Sequence, residues 1–146
     1  PATCTRAVRR RGGGRVDYAS NSWMITSIAP LIYVCSPLRP VGNETILSNV
    51  EMARQYCRQV LERGYVPFAP HKTGLWDDDA DEAVRAEALT CSLRYVSACD
   101  ELWIFGPRIS DGMTIEINWA RASGKPIRPQ SPEIFTHPIV LGPISC

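Results

Sequence analysis

Short apolar runs alternate along this chain with longer segments in which apolar residues recur every three or four positions. The short runs are too brief for helices and are rich in branched and aromatic side chains, which predicts strands covered on both faces. They occupy residues 30–35, 65–70 and 102–105, a fourth run from Lys125, and a weaker fifth candidate at 139–141. Because Pro67 lacks a backbone N–H donor, the second strand is predicted at a sheet edge or at a strand end.

The longer segments are predicted as three helices. They cover residues 46–61, the stretch from the acidic residues 77–82 to about residue 99, and residues 113–124. Asn43 is a candidate N-cap of the first helix, and Gly64 is its predicted end. The acidic cluster at 77–82 is interpreted as a complement to the helix dipole and not as a metal site, because hard cations also need a defined loop geometry.

Strands that alternate with helices predict an α/β fold, because right-handed crossovers between parallel strands permit few other arrangements. We therefore predict a Rossmann-like (flavodoxin-like) parallel sheet of four to five strands with helices on both faces. The first strand leads into the sequence SPLRPVGN, so the G-x-G-x-x-G fingerprint of dinucleotide-binding proteins does not follow it.

The length of 146 residues predicts one domain. Residues 1–23 lack periodicity, carry several arginines and are predicted to be a flexible basic tail, leaving a single domain at 24–146. Met24 stands directly before the first patterned residues, and one hypothesis is that the native chain begins there. The net charge of +1 gives no argument for nucleic acid, and no segment has the length of a membrane span.

The chain has six cysteines and two histidines but no C-x-x-C pair. This spacing indicates neither a zinc site nor a disulfide framework, and no metal or cofactor is predicted. Cys35, Cys57 and Cys99 fall within apolar patterns, where a free cysteine acts as a small hydrophobic residue. Free thiols are typical of a reducing compartment, so a cytoplasmic location is predicted.

The strongest candidate for chemistry is Glu116, which lies in the first turns of a predicted helix just beyond a buried strand. Ligands in open α/β sheets bind outside the carboxyl ends of the strands, so Glu116 is predicted to face that crevice. The alternative is a solvated carboxylate that complements the helix dipole. A carboxylate in a nucleoside pocket can attack the anomeric carbon and divide glycosyl transfer into two displacements.

Three predicted loops, at residues 36–43, 69–78 and 106–112, meet above the strand ends. Their arginines, serines and exposed loop amides suit a phosphate. The polar side chains of the three loops are Ser36, Arg39, Asn43, His71, Lys72, Arg108, Ser110 and Asp111. Tyr33, Trp76 and Trp103 can stack on a base, although core packing is the alternative for Trp103.

The motifs IYVCSPLR, GYVPFAP, CDELWIFG, SDGMTIEI and GKPI, taken in this order, resemble the nucleoside 2-deoxyribosyltransferase superfamily over residues 30–128. The resemblance is greatest to its small uncharacterised bacterial and phage members, and it extends to the deoxynucleoside monophosphate N-glycosidases. It implies a nucleoside or nucleotide substrate and a homo-oligomer, because members of the superfamily often complete their pockets across a subunit interface.

The resemblance also implies roles for individual residues. Glu116 would be the nucleophile that accepts the glycosyl group, and Tyr33 would lie near that carboxylate. The remaining substrate-binding candidates are Ser36, Pro37 and Arg39 near the sugar or phosphate, Ser110 toward the 5′-phosphate, and Asn43, His71, Gly112 and Met113.

The sequence departs from the superfamily pattern at two positions. The aspartate expected eight residues before Asp100 is Ser92, which is no general acid at neutral pH, and the glycine expected two residues after the nucleophile is Asn118. Asp111 is the candidate for the missing carboxyl group. Two hypotheses follow: an N-glycosidase or deoxyribosyltransferase that acts through Glu116, and a non-catalytic nucleotide-binding or sensor module of the same fold.

Overall fold

The computed structural model describes residues 29–73 and 81–142. The predicted tail at 1–23, the acidic residues 77–79 and Trp76 lie outside the described residues. No helix in the described part of the chain is long and apolar enough to cross a membrane. The four cysteines within it, Cys35, Cys57, Cys91 and Cys99, are not joined by disulfide bonds.

The described chain forms four strands and four α-helices in alternating order. The strands are β1 (Leu31–Cys35), β2 (Val66–Phe68), β3 (Glu101–Ile104) and β4 (Ile127–Pro129). The helices are α1 (Ile46–Glu62), α2 (Glu82–Ala98), α3 (Asp111–Ala122) and the short α4 (Pro138–Leu141). Single 3₁₀ turns at Pro70–Lys72 and Pro132–Ile134 follow β2 and β4.

The strands form one parallel sheet in the order β2-β1-β3-β4. This order matches the first four strands of a flavodoxin-like sheet. The predicted α/β class is confirmed. β2 is an edge strand, as the position of Pro67 predicted. β1 and β3 are neighbours at the centre of the sheet, with Tyr33 opposite Leu102.

Both faces of the sheet are covered, because alternate residues of β1 enter two separate apolar clusters. Ile32 and Val34 pack with residues of α1 on one face. Tyr33 and Cys35 pack on the other face with Met113 and other residues of α2 and α3. Alternation of side chains along a strand therefore directs Tyr33 and Cys35 toward the same helices.

Two local predictions were wrong. Residues 139–141 belong to helix α4 and not to a fifth strand, because Pro138 supplies the first helical residue and the His137 ring accepts a hydrogen bond from the Ile139 N–H. The N-cap of α1 is Thr45 and not Asn43: its hydroxyl accepts from the Ser48 N–H, and the Ser48 hydroxyl accepts from the Thr45 N–H in return.

Gly106, directly after β3, is expected to be the most sensitive glycine of the described chain. Its φ is +101°, and a Cβ there would lie 2.8 Å from Cδ of the rigid Pro37 ring. Gly106→Ala should lower the free energy of unfolding by about 2–3 kcal/mol, measured by urea denaturation. The control is Gly124→Ala, where φ is +68° and a Cβ would meet nothing within 4 Å. Equal losses in the two variants would contradict a steric role for Pro37.

Candidate functional site

A cavity of about 290 Å³ opens at the carboxyl end of β1 and β3. From these two adjacent strands the chain departs to opposite faces, through α1 after β1 and through α3 after β3. Such a switch point leaves a crevice between the two loops, and ligands of open α/β sheets bind there. The cavity is lined by Ser36, Leu38, Arg39, Val41, Pro70, His71, Arg85, Leu89, Arg108, Ser110, Asp111, Gly112, Met113, Ile115 and Glu116.

Glu116 is the only acidic side chain that is buried among the described residues, with 9% exposure. It lies in α3 on the side that carries Met113, Ile117 and Ala120 into the core. Glu116 nevertheless contributes to the cavity lining. The alternative of a solvated helix carboxylate does not describe this geometry.

Both carboxylate oxygens of Glu116 accept a hydrogen bond from β1. The Tyr33 hydroxyl donates to Oε1 over 2.9 Å, and the Cys35 thiol donates to Oε2 over 3.3 Å. The two donors are two residues apart on one face of the strand, and both are fully buried. One strand therefore holds the carboxylate through two side chains.

Burial raises the pKa of Glu116 above its ordinary value, and the bonds from Tyr33 and Cys35 together with the nearby Ser92 hydroxyl oppose that rise. Burial, and then the adjacent Glu116 charge, raise the pKa values of Tyr33 and Cys35 well above their usual ranges. Both groups are therefore protonated at neutral pH and act as donors. Two opposed effects therefore act on the pKa of the carboxylate: desolvation raises it, and the hydrogen bonds lower it.

Tyr33→Phe should raise the pKa of Glu116 further, because the hydroxyl bond favours the ionised carboxylate. A hydrogen bond to a charged group contributes about 1.5–3 kcal/mol, which corresponds to a shift of about one to two pH units. The measurement is a carbon-13 NMR titration of the Glu116 carboxyl group. Tyr95→Phe, which changes a tyrosine packed against the same core, is the control and should leave the midpoint unchanged. Equal midpoints in Tyr33→Phe and the unmodified protein would contradict the assigned bond.

Ser92, where the resemblance implied an aspartate, is fully buried in α2. Its hydroxyl approaches Glu116 and Tyr33 closely enough to lower both pKa values. It nevertheless forms no hydrogen bond with a described residue. Ser92 does not belong to the cavity lining, so it lies among the groups that surround Glu116 and not against a ligand.

His71 lines the cavity in a single defined tautomer. Its Nε2 is 2.9 Å from the Ser36 carbonyl oxygen, which can only accept, so Nε2 carries the proton. Burial lowers the pKa of His71 to about 4, and the ring is therefore neutral at physiological pH. Nδ1 of His71 and the Ser36 hydroxyl are both buried without a hydrogen-bond partner among the described residues.

Arg108 joins the loop after β3 to the loop after β1. Its guanidinium contacts the Arg39 carbonyl oxygen over 2.6 Å and the Glu44 carboxylate over 2.8 Å. The Glu44 carboxylate also accepts from Asn49, whose amide donates to the Leu38 carbonyl oxygen. The Arg108 bond, followed by that of Asn49, lowers the pKa of Glu44. These contacts hold the cavity wall at residues 38–39 against the opposite loop.

The predicted site residues are distributed as follows. Those that line the cavity are Glu116, Asp111, Ser36, Arg39, His71, Ser110, Gly112 and Met113. Tyr33 lies against Glu116, Pro37 is buried beside Gly106, and Asn43 is exposed on the loop after β1 without reaching the cavity lining. The Ser110 hydroxyl caps α3 by accepting from the Met113 N–H, and Asp111 begins that helix at the cavity.

Neither described aromatic candidate is available to stack on a base. Trp103 packs on the face of the sheet that carries α1, in edge contact with Tyr65, and its indole N–H donates to Glu101. Tyr33 is fully buried behind Glu116. The core-packing alternative for Trp103 therefore describes the structure. Arg85 and Leu89, on α2, line the cavity without having been predicted.

The fold and the cavity define an α/β protein with flavodoxin-like strand order and a buried carboxylate at the switch point of its sheet. The chain belongs to a family described as Domain of unknown function (DUF7768), whose model matches residues 30–130. No match was found among curated proteins.

Solved structures that are similar to this chain include the following two. A 2-deoxyribosyltransferase from Bacillus psychrosaccharolyticus is 24% identical, with a TM-score of 0.48 over 68% of this chain and 70% of that chain. A conserved protein from Enterococcus faecalis V583 is 25% identical, with a TM-score of 0.47 over 81% of this chain and 77% of that chain.

Proposed function

We propose that the protein cleaves or transfers the N-glycosidic bond of a deoxynucleoside or its 5′-monophosphate, with Glu116 as the nucleophile. The observation that carries this proposal is the buried Glu116 carboxylate at the cavity, with one oxygen bound by Tyr33 and the other by Cys35. Burying a carboxylate costs folding free energy, and a functional role would explain why the carboxylate is kept at a core position. Its position at the switch point favours chemistry on a bound ligand.

The proposed reaction has two displacements. An oxygen of Glu116 bonds to C1′ of the sugar as the C1′–N bond breaks, and the base leaves with that electron pair and takes up a proton. Water or a second base then attacks C1′, loses a proton, and releases the Glu116 carboxylate. The products are the free sugar in the first case and a new nucleoside in the second.

The remaining cavity residues have complementary proposed roles. Asp111, at the start of α3, would deliver the proton to the departing base, a role that the position of Ser92 does not serve. Arg39 would bind a phosphate, and Ser110 would contact it from the opposite loop. The other proposed substrate-binding residues in the cavity lining are Ser36, His71, Gly112 and Met113.

The test is to incubate the protein with a panel of deoxynucleosides and their 5′-monophosphates and to measure free base by chromatography. A second base added to parallel reactions separates transfer from hydrolysis, because transfer yields a new nucleoside. Base release that persists in Glu116→Gln would reject the nucleophile. The matched control is Glu62→Gln, which removes an exposed carboxylate at the end of α1.

A second candidate function is a non-catalytic nucleotide-binding or sensor module. Ser92 favours it, because the carboxyl group expected there is missing while the cavity and Glu116 remain. Saturable binding of a nucleotide without base release, measured by calorimetry and chromatography on the same panel, supports this function. Turnover that depends on Glu116 excludes it.

A further inference from the structure

The Cys35 thiol is the second hydrogen-bond donor to Glu116. Cys35 was not among the site residues predicted from the sequence. Its Sγ lies 3.3 Å from Oε2 of Glu116, and the side chain is fully buried. Its neighbour on the same face of β1, Tyr33, binds the other oxygen. The carboxylate thus has a strong hydroxyl donor on one oxygen and a weaker thiol donor on the other.

The direction of the Cys35 bond follows from the chemistry of its two groups. An ionised carboxylate can only accept, and a fully buried cysteine beside a carboxylate keeps its proton. The thiol is therefore a donor whenever Glu116 is charged. It is also enclosed by the core, so it is not placed to act as a nucleophile toward a ligand.

We propose that Cys35 is a positioning residue whose S–H group holds Oε2 of Glu116 and favours the ionised form of the buried carboxylate. The value of this bond for catalysis rests on the proposed function. The bond itself does not, since it acts on Glu116 whether or not the protein turns over a substrate.

Other groups face Glu116 and enter its titration. Tyr33 and Ser92 act from β1 and α2. The charged and titratable residues across the cavity are Arg39, His71, Arg85, Arg108 and Asp111. All of them are unchanged in a Cys35 variant, so a shift measured there belongs to the thiol.

The experiment compares Cys35→Ala and Cys35→Val with Cys35→Ser. Valine fills the space and suits a strand but cannot donate, whereas serine keeps a donor. A carbon-13 NMR titration should place the Glu116 midpoint about half to one pH unit higher in the alanine and valine variants, and near its original value in the serine variant. The comparison requires only that one of the two donor-free variants, Cys35→Ala or Cys35→Val, folds.

The control is Cys57→Ala, which removes a buried thiol from α1 on the opposite face of the sheet. An unchanged midpoint in the donor-free variants, or an equal shift in Cys57→Ala, would overturn the proposal. If the protein releases base, the acid limb of the pH–rate profile should shift in the donor-free variants by the same amount as the NMR midpoint. In Cys35→Ser the acid limb should return to its original position. Absence of base release would reject the proposed function while leaving the NMR result to decide the role of Cys35.

Discussion

Replacing Glu116 with glutamine is expected to abolish base release and, at the same time, to stabilise the folded protein at neutral pH. Glutamine keeps the shape and one acceptor oxygen for Tyr33 but cannot form the covalent intermediate. Loss of a nucleophile should lower turnover by more than about 10³-fold. The Glu62→Gln control, at an exposed position of α1, should change neither activity nor stability.

The stability effect has a defined pH dependence. Burial raises the pKa of Glu116 in the folded protein, so folding disfavours the charged carboxylate. The stability contributed by the protonated form is complete below the unfolded pKa and is lost as the pH rises through the folded pKa. The difference in the free energy of unfolding between the glutamine variant and the unmodified protein should therefore increase as the pH rises and disappear at acid pH. Urea denaturation measures this difference. A glutamine variant that is less stable than the unmodified protein at neutral pH would contradict the claim that the buried charge of Glu116 costs stability.

The fold was largely predictable because its signals are local. The runs at β1 and β3 are apolar on both faces, as a central parallel strand requires, and Gly64 and Gly124 mark the ends of α1 and α3. The segment 139–141 was misassigned because periodicity cannot distinguish a strand from a helix in a run of three apolar residues, and Pro138 begins a helix there.

The part of the candidate site that lies at the carboxyl ends of the strands could be predicted from the sequence. Glu116 and the loops after β1 and β3 were identified because residues beyond parallel strands meet at one edge of the sheet. Arg85 and Leu89 were missed, since the apolar residues of α2 are not segregated on one face and its rotation could not be inferred. Cys35 was assigned to the core, where it does lie, but its partner Glu116 is 81 residues away and only the packing of α3 on β1 reveals it.

Introducing an aspartate at position 92 is expected to destabilise the protein and not to increase base release. Ser92 is fully buried beside Glu116 and Tyr33 and does not line the cavity. An aspartate there would place a second carboxylate against the first without a cation to pair with it. Uncompensated buried charge costs about 3–5 kcal/mol, and the two carboxyl groups would share a proton and titrate as a coupled pair.

The measurement is urea denaturation of Ser92→Asp and Ser92→Asn between about pH 5 and pH 8. Asparagine has nearly the same size without the charge, so it separates steric from electrostatic cost. Both carboxyl groups would have raised pKa values in the folded state, so the extra loss in the aspartate variant should grow as pH rises. Equal losses in the two variants would assign the cost to size alone. A gain in base release with aspartate would instead show that position 92 reaches the substrate, and would transfer the proposed acid role away from Asp111.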